Sequence, residues 1–330
     1  MKRFVLLTVL LAFLLTTAGF SYSVVLMITG EVGGNPIYEM MVAGAEKAAE
    51  EAGFSLRVVE GGYNPANWEP TLISLASTGL YDLVVTFSEG MPASVVRAAN
   101  MFPNQKFVLM EAVIKDAPPN VYSFGFRDEE MTYLAGYFAG LVTTSDLPRA
   151  NPQKKIGLLA GDIYPAMTDI MRPAYINGAR AVDPDIELVF SAVGSWADPA
   201  KGGELAQAQF EQGVDIVLAV AGGSGVGAIE KAVAMGKYVI GVNSNIIHFA
   251  PGTILACTLK HADIAMKTVL LWGITGELEF GSYDRWGIKE GVLGFTLDDP
   301  NFLGNVTDEM VEELKEVIAA FERDEIDPLQ

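Results

Sequence analysis

The densest glycine run of the chain, Ala221-Gly-Gly-Ser-Gly-Val-Gly-Ala228, stands between an apolar, strand-like segment and a helix-like one. Within it, Gly223, Gly225 and Ala228 satisfy the G-x-G-x-x-A spacing that brings backbone N–H groups close to a dinucleotide pyrophosphate. The acidic residue such a site places about 20 residues further on is missing, because Asn243 and Asn245 occupy that stretch. The run therefore reads as a tight strand-to-helix turn whose backbone faces a ligand, with no cofactor implied. Neither a G-x-x-x-x-G-K-S/T loop nor a G-x-S-x-G elbow occurs. The two histidines, His248 and His261, lack metal-ligand spacing, and Asp128/Glu129/Glu130 and Asp298/Asp299 read as caps or solvated faces. No catalytic residue and no metal site is expected. Cys257, the single cysteine, lies in an apolar run and reads as a buried thiol. The aromatic residues are more informative: Tyr38, Tyr63, Trp68, Phe87, Tyr164 and Trp196 fall at or just after strand ends. Several rings facing one crevice would suit a flat ligand, since a stacked pair contributes roughly 0.5–1.5 kcal/mol beyond area burial.

Runs rich in Val, Ile and Leu predict the strands that carry these positions, over 23–29, 55–60, 83–86, 106–110, 121–124, 156–160, 187–192, 216–220, 238–242 and 254–258. Helical periodicity separates them at 38–52, 131–143, 166–181, 203–213 and 228–235. In the first helix Met41, Ala45, Ala48, Ala49 and Ala52 form one face, charged residues form the other, and Gly53 is a fitting stop. Alternating elements with continuous apolar strands imply parallel sheets covered on both faces, and so many strands imply two sheets. Breaks near 125–130 and 243–251 carry no long flexible linker and predict short crossings between two lobes. Ligands of open parallel sheets bind beyond the carboxyl ends of the strands, so the loops after each strand should line the cleft.

The chain of 330 residues carries 22 Lys and Arg against 41 Asp and Glu, a net charge of −19. That balance opposes nucleic acid and anionic headgroups and favours a neutral, zwitterionic or cationic ligand. Residues 1–23 have a signal-peptide layout: Lys2 and Arg3, an apolar stretch from Phe4 to Leu15, then Ala18, Gly19, Ser21 and Ser23. Cleavage after Gly19 or after Ser23 fits equally. The apolar stretch falls short of the roughly 20 residues of a spanning helix. The expectation is an exported chain, periplasmic or extracytoplasmic, with no stable membrane insertion after cleavage. No cysteine stands just after the stretch, so no lipoprotein anchor is expected.

Longer motifs sharpen this. Gly125-Phe-Arg-Asp-Glu-Glu-Met-Thr-Tyr-Leu-Ala-Gly136, Gly194-Ser-Trp-Ala-Asp198 with Ala200-Lys201 and Glu204-Leu-Ala206, and Gln212-Gly-Val-Asp-Ile216 recur in one pattern with 221–232, Val239-Ile-Gly-Val-Asn-Ser-Asn245, and Thr258-Leu-Lys260 followed by Asp263. Jointly they resemble the basic membrane protein family of ABC-transporter substrate-binding proteins, which includes the purine nucleoside receptors. The resemblance spans most of the chain after the leader. It implies an α/β fold of two Rossmann-like lobes with parallel sheets and a hinge, the type I periplasmic-binding-protein arrangement. With the breaks above, residues 24–126 and about 249–280 make the N-terminal lobe, and 127–248 and about 281–330 the C-terminal one.

In nucleoside-binding members a base stacks between aromatics of the two lobes, and aspartates and a lysine hold the base edge and ribose hydroxyls. Carried onto this chain, the ligand contacts expected are Asn35, Tyr38, Phe87, Asp128, Tyr164, Trp196, Gly222, Asn243 and Lys260. Trp196 stands where the family has a phenylalanine, and Lys260 matches the family lysine. Other positions depart from the pattern. Gly34, Ile37 and Tyr38 replace an aspartate, the stacking phenylalanine and an asparagine, and an acidic D-S-D-Q run becomes Asn243-Ser-Asn-Ile246. An ionised carboxylate only accepts hydrogen bonds, whereas asparagine also donates, so acceptors for ribose hydroxyls are lost. The resemblance implies a substrate-binding protein of an ABC uptake transporter that closes on a small aromatic heterocycle, by default a nucleoside. Riboflavin is the alternative ligand, with Trp196 and Tyr38 sandwiching its ring. An exported nucleoside-processing enzyme and a repressor-like sensor are the alternative functions. The partners implied are a nucleoside or flavin-like small molecule and an ABC permease, with no nucleic acid; the chain is expected to be a monomer without cofactor.

Overall fold

The computed structural model describes residues 22–33 and 35–330. The signal peptide expected over 1–23 lies outside the described residues except for Tyr22 and Ser23, and Gly34 lies outside them too.

The first half of the chain lays down β1 (Ser23–Ile28), α1 (Pro36–Ala52), β2 (Ser55–Glu60), α2 (Trp68–Ser77), β3 (Leu83–Phe87), α3 (Pro92–Met101), β4 (Lys106–Met110) and β5 (Val121–Phe126). Local chemistry sets these limits. Asn35 caps α1 by accepting from the Ile37 and Tyr38 amides, Pro36 fits the first turn, and Gly53 ends the helix at φ 71°. β1, β3 and β5 are buried almost end to end, as strands covered on both faces must be.

The chain then builds α4 (Asp128–Thr143), β6 (Lys155–Ala160), α5 (Arg172–Val182), β7 (Glu187–Ala192), α6 (Pro199–Glu211), β8 (Val214–Val220), α7 (Gly225–Met235), β9 (Tyr238–Gly241) and β10 (Ile254–Lys260). It returns through α8 (Ala262–Thr275) and β11 (Tyr283–Trp286), and ends with β12 (Leu293–Phe295), α9 (Pro300–Leu303) and α10 (Asp308–Glu322). Two six-stranded sheets result, ordered β11-β5-β4-β3-β1-β2 and β12-β10-β9-β8-β6-β7. Every pairing between these strands is parallel except that of β10 with β12. This is the two-lobed α/β fold of the periplasmic binding proteins.

Each sheet reverses its winding once, between β1 and β3 and between β6 and β8. The carboxyl ends of strands at such a reversal are where open α/β sheets leave a crevice. Three short crossings join the lobes: Arg127 between β5 and α4, His261 between β10 and α8, and 287–292 between β11 and β12.

The strand pairing corrects the expected division in two places. Residues 254–260, assigned from sequence to the N-terminal lobe, form β10 and pair in parallel with β9 inside the second sheet. The 243–251 break is thus a loop within one lobe, and the crossing follows Lys260. β11 pairs with β5, so the N-terminal lobe extends past 280 to Trp286. The cause is packing: β10 is apolar and buried along its length and fills the slot between β9 and β12, while α8 lies along α1.

Candidate functional site

The residues of one cleft stand at the carboxyl ends of β3, β4, β6, β7 and β10 and in the first turn of α4. Lys260, the last residue of β10, is only 5% exposed. Its Nζ donates to Glu111 Oε1 at 2.9 Å, lies 2.8 Å from Asp128 Oδ1 and rests 4.6 Å from the centre of the Phe126 ring. Its backbone N–H is held at 3.0 Å by the Asn243 carbonyl. Burial opposes the lysine charge, but Asp128 and Glu111 outweigh it and hold the ammonium above its ordinary range.

One ammonium cannot neutralise the carboxylates around it. Burial raises the pKa of Glu111, Lys260 lowers it, and the neighbouring Asp128 charge raises it again, with a net rise. Asp128 Oδ1 is close enough for an ion pair yet lacks a directed hydrogen bond, and Glu111 Oε2 has no donor either; both atoms are buried. A third carboxylate, Glu89, follows β3. Its surface is exposed to solvent, but neighbouring groups desolvate its carboxyl. That desolvation pushes its pKa up to about 7, and repulsion from Glu111 and Asp128 adds to the rise against the pull of Lys260. The desolvation matters more here than the solvent contact, because a carboxylate at the mouth of a concave site loses much of its hydration while remaining touchable by water.

Beside this cluster lies an aromatic surface. Trp196, in the loop after β7, is 46% exposed, and its ring centre lies 6.0 Å from that of Tyr164 at a tilt of 49°. Trp196 lies so close over Gly161 that a β-carbon there would sit 2.4 Å from the indole, so glycine is required for the shelf to exist. Gly222, at φ 53°, backs the Trp196 carbonyl, which accepts from the Ser224 amide at 3.2 Å. The Tyr164 phenol has its pKa raised by burial and further by the Glu89 and Asp128 charges.

Of the expected contacts, Asp128, Lys260, Tyr164 and Trp196 come together here, with Gly222 behind Trp196 and Asn243 behind Lys260. Tyr38 and Phe87 meet edge-on, 5.5 Å apart at 88°, and at 9% and 8% exposure offer little free ring face. Asn35 spends its side-chain oxygen on the cap of α1. Asn245 turns to Asp299 at 2.7 Å, beside a separate pocket of about 330 Å³ that Leu259 also lines. Lys260 follows Leu259 on β10 and so points to the other face of that sheet.

A family model for the PnrA-like ABC-transporter substrate-binding proteins matches residues 21–325. The chain belongs to that family. It is similar to basic membrane protein A of Borreliella afzelii, at 29% identity over 82% of this chain and 81% of the relative. It is also similar to the ABC transporter nucleoside-binding protein BmpA of Lactococcus lactis subsp. cremoris, at 28% identity over 75% of this chain and 70% of that one. Among solved structures, an ABC-transporter solute-binding protein of Aeropyrum pernix superposes with a TM-score of 0.74 at 26% identity, covering 93% of this chain and 87% of that one. As a PnrA-like protein the chain is an extracytoplasmic, non-catalytic substrate-binding component of an ABC transporter. Among its described residues no helix is long and apolar enough to cross a membrane.

Glu89 and Glu111 were not singled out from sequence. The available signal was a carboxylate within two residues of a strand's carboxyl end, on adjacent strands β3 and β4. The backbone marks the same places: Ser88, Glu111 and Asn243 adopt φ values of 129°, 74° and 68°, a region costly for residues with a β-carbon. Such strain tends to gather at ligand clamps.

Proposed function

We propose that this PnrA-like protein captures a small molecule with a flat heteroaromatic ring, by default a nucleoside, and presents it to an ABC permease. The observation that carries the reading is the pairing of a half-exposed Trp196 shelf with the Glu111–Lys260–Asp128 cluster across one interlobe cleft. The ring would lie on Trp196 beside Tyr164, and ligand donors would meet the carboxylates that Lys260 holds in place. The Lactococcus relative's name supports the nucleoside as first choice. Binding would close the lobes about the three short crossings at Arg127, His261 and 287–292, as hinges made of a few element-terminal residues do. The chain would act as a monomer.

Riboflavin is the second reading, favoured by the width of the indole shelf at Trp196 in place of the smaller phenylalanine ring. Titration calorimetry with adenosine, guanosine, inosine, uridine and riboflavin tests both. One-to-one binding of a nucleoside, with a smaller radius of gyration in the complex, is the expected result. A folded chain that binds none of the four nucleosides contradicts the nucleoside reading, and riboflavin binding alone selects the second.

A further inference from the structure

The nucleoside reading leaves the charge of the ligand open, and the cleft has a charge imbalance. Glu111 and Asp128 share one cation, Lys260, at 2.9 and 2.8 Å, and Glu89 follows β3, whose last residue pairs with the last residue of β4 just before Glu111. The nearby arginines are engaged elsewhere: Arg285 pairs with Glu129 at 2.7 Å and Arg127 with Glu130 at 3.3 Å. Lys260 is itself committed, to Glu111, to Asp128 and to the face of Phe126. Its two carboxylate partners take two of its three protons. Its role is to fix two carboxylates in place.

One buried carboxylate oxygen, Glu111 Oε2, has no hydrogen-bond donor, while Asp128 Oδ1 has only the Lys260 ammonium at 2.8 Å. Buried acceptors without donors are costly, most of all when charged. Neutral ribose hydroxyls would supply donors but leave the excess negative charge in place. A positively charged group supplies donors and removes the repulsion together. A metal ion suits the geometry less well, because no three carboxylate, histidine or thiol groups among the described residues converge closely enough to hold one. An organic cation spreads its charge over a larger body, and the aromatic walls of Tyr164 and Trp196 favour it further. The net charge of −19 draws cations toward the protein from a distance.

We propose that the ligand carries a protonated nitrogen, an ammonium- or amidinium-type group on or beside its flat ring, held by Glu89 with Glu111 and Asp128 behind it while the ring rests on Trp196. The proposal rests on the reading of this cleft as the ligand site and adds the charge class of what enters it.

The test compares matched probes that differ in charge. Adenosine is neutral and N1-methyladenosine carries a positive charge on the same ring near neutral pH; benzamide and benzamidinium form a smaller pair of nearly equal shape. Calorimetry and thermal shift on the full-length mature chain should show the cation binding at least about tenfold tighter in a pair, equivalent to about 1.4 kcal/mol. Glu89→Gln should narrow that ratio several-fold, and Glu89→Asp, which keeps the charge, should retain most of it. Preference for benzamidinium with no response to either nucleoside would retain the cation and overturn the nucleoside reading. Tighter binding of the neutral members, equal binding within each pair, or no binding by any of the four probes would overturn the cation. So would a preference unchanged in Glu89→Gln.

Discussion

The two walls of the cleft are built from different materials. On one side Glu111, Asp128 and Lys260 form a buried ionic cluster where β4, α4 and β10 approach the lobe crossings. On the other, Trp196 and Tyr164 form an aromatic shelf on loops that follow β7 and β6. The ionic wall is part of the architecture: Lys260 pairs with Glu111, 149 positions away in sequence, and is one residue from a crossing. The shelf is an addition to a finished lobe, with Trp196 half open to solvent. Substitutions should therefore couple binding to stability on the ionic wall and separate them on the aromatic one.

Lys260→Met is the strongest way to break this comparison. Removing the ammonium leaves Glu111 and Asp128 buried without a counter-charge, a loss of about 3–5 kcal/mol for a buried pair. Urea denaturation should show most of that loss near neutral pH and less in acid, where protonation of the carboxylates relieves it. Binding should fall with it. If Lys260→Met unfolds at the same urea concentration as the parent chain, the ionic wall is not structural.

Trp196→Ala should do the reverse. Losing the shelf should cost about 2 kcal/mol of binding, or roughly 30-fold in Kd for a flat-ring ligand, from lost burial and stacking. Unfolding free energy should change by less than about 1 kcal/mol, as expected for a partly exposed side chain. Calorimetry and urea titration on the same preparation separate the two effects.

Asn35→Ala makes a smaller and sharper distinction. The Asn35 oxygen caps α1 at 3.2 Å from the Ile37 amide, so its loss should cost about 1 kcal/mol of stability while leaving ligand affinity within about twofold. A large affinity loss with unchanged stability would return Asn35 to the ligand.

Glu89→Gln gives the smallest effect, with a sign that depends on pH. The folded-state pKa of about 7 lies above the ordinary 4.5, so the folded chain holds an extra proton between those values. Ionising Glu89 therefore costs stability as pH rises through that window. Without ligand, Glu89→Gln should raise Tm slightly at about pH 8 and leave it nearly unchanged at about pH 4. Solvent contact at Glu89 keeps the difference small.

Much of this fold is legible in the residues. The ten apolar runs appear as β1 to β10, because strands covered on both faces require continuous hydrophobic sequence. The crossing after β5 appears where the break at 125–130 places it. β11 and β12 are not visible beforehand: Tyr283–Trp286 and Leu293–Phe295 are too short to show a period, and their strand character depends on pairing with distant β5 and β10. The sheet that receives β10 is equally a long-range outcome, which is why the expected lobe boundary at 249 moved to the end of that strand.

The site divides along the same line. Asp128, Lys260 and Trp196 stand in motifs that resemble the family's, and the fold brings them to one cleft edge. Glu89 and Glu111 belong to no such motif, and only the adjacency of β3 and β4 places them beside Lys260. Their presence also changes the meaning of Asn243 and Asn245. Acidity lost from the loop after β9 is matched by carboxylates after β3 and β4, on the opposite side of the cleft.

The central claim is one flat-ring ligand per chain, held between an ionic wall and Trp196. Native mass spectrometry of gently purified protein tests it most directly. The parent chain should carry a single small heteroaromatic molecule at one per protein, and Trp196→Ala, folded to the same extent, should be largely empty. A parent chain that carries none, or a bound molecule that survives Trp196→Ala undiminished, would contradict the account.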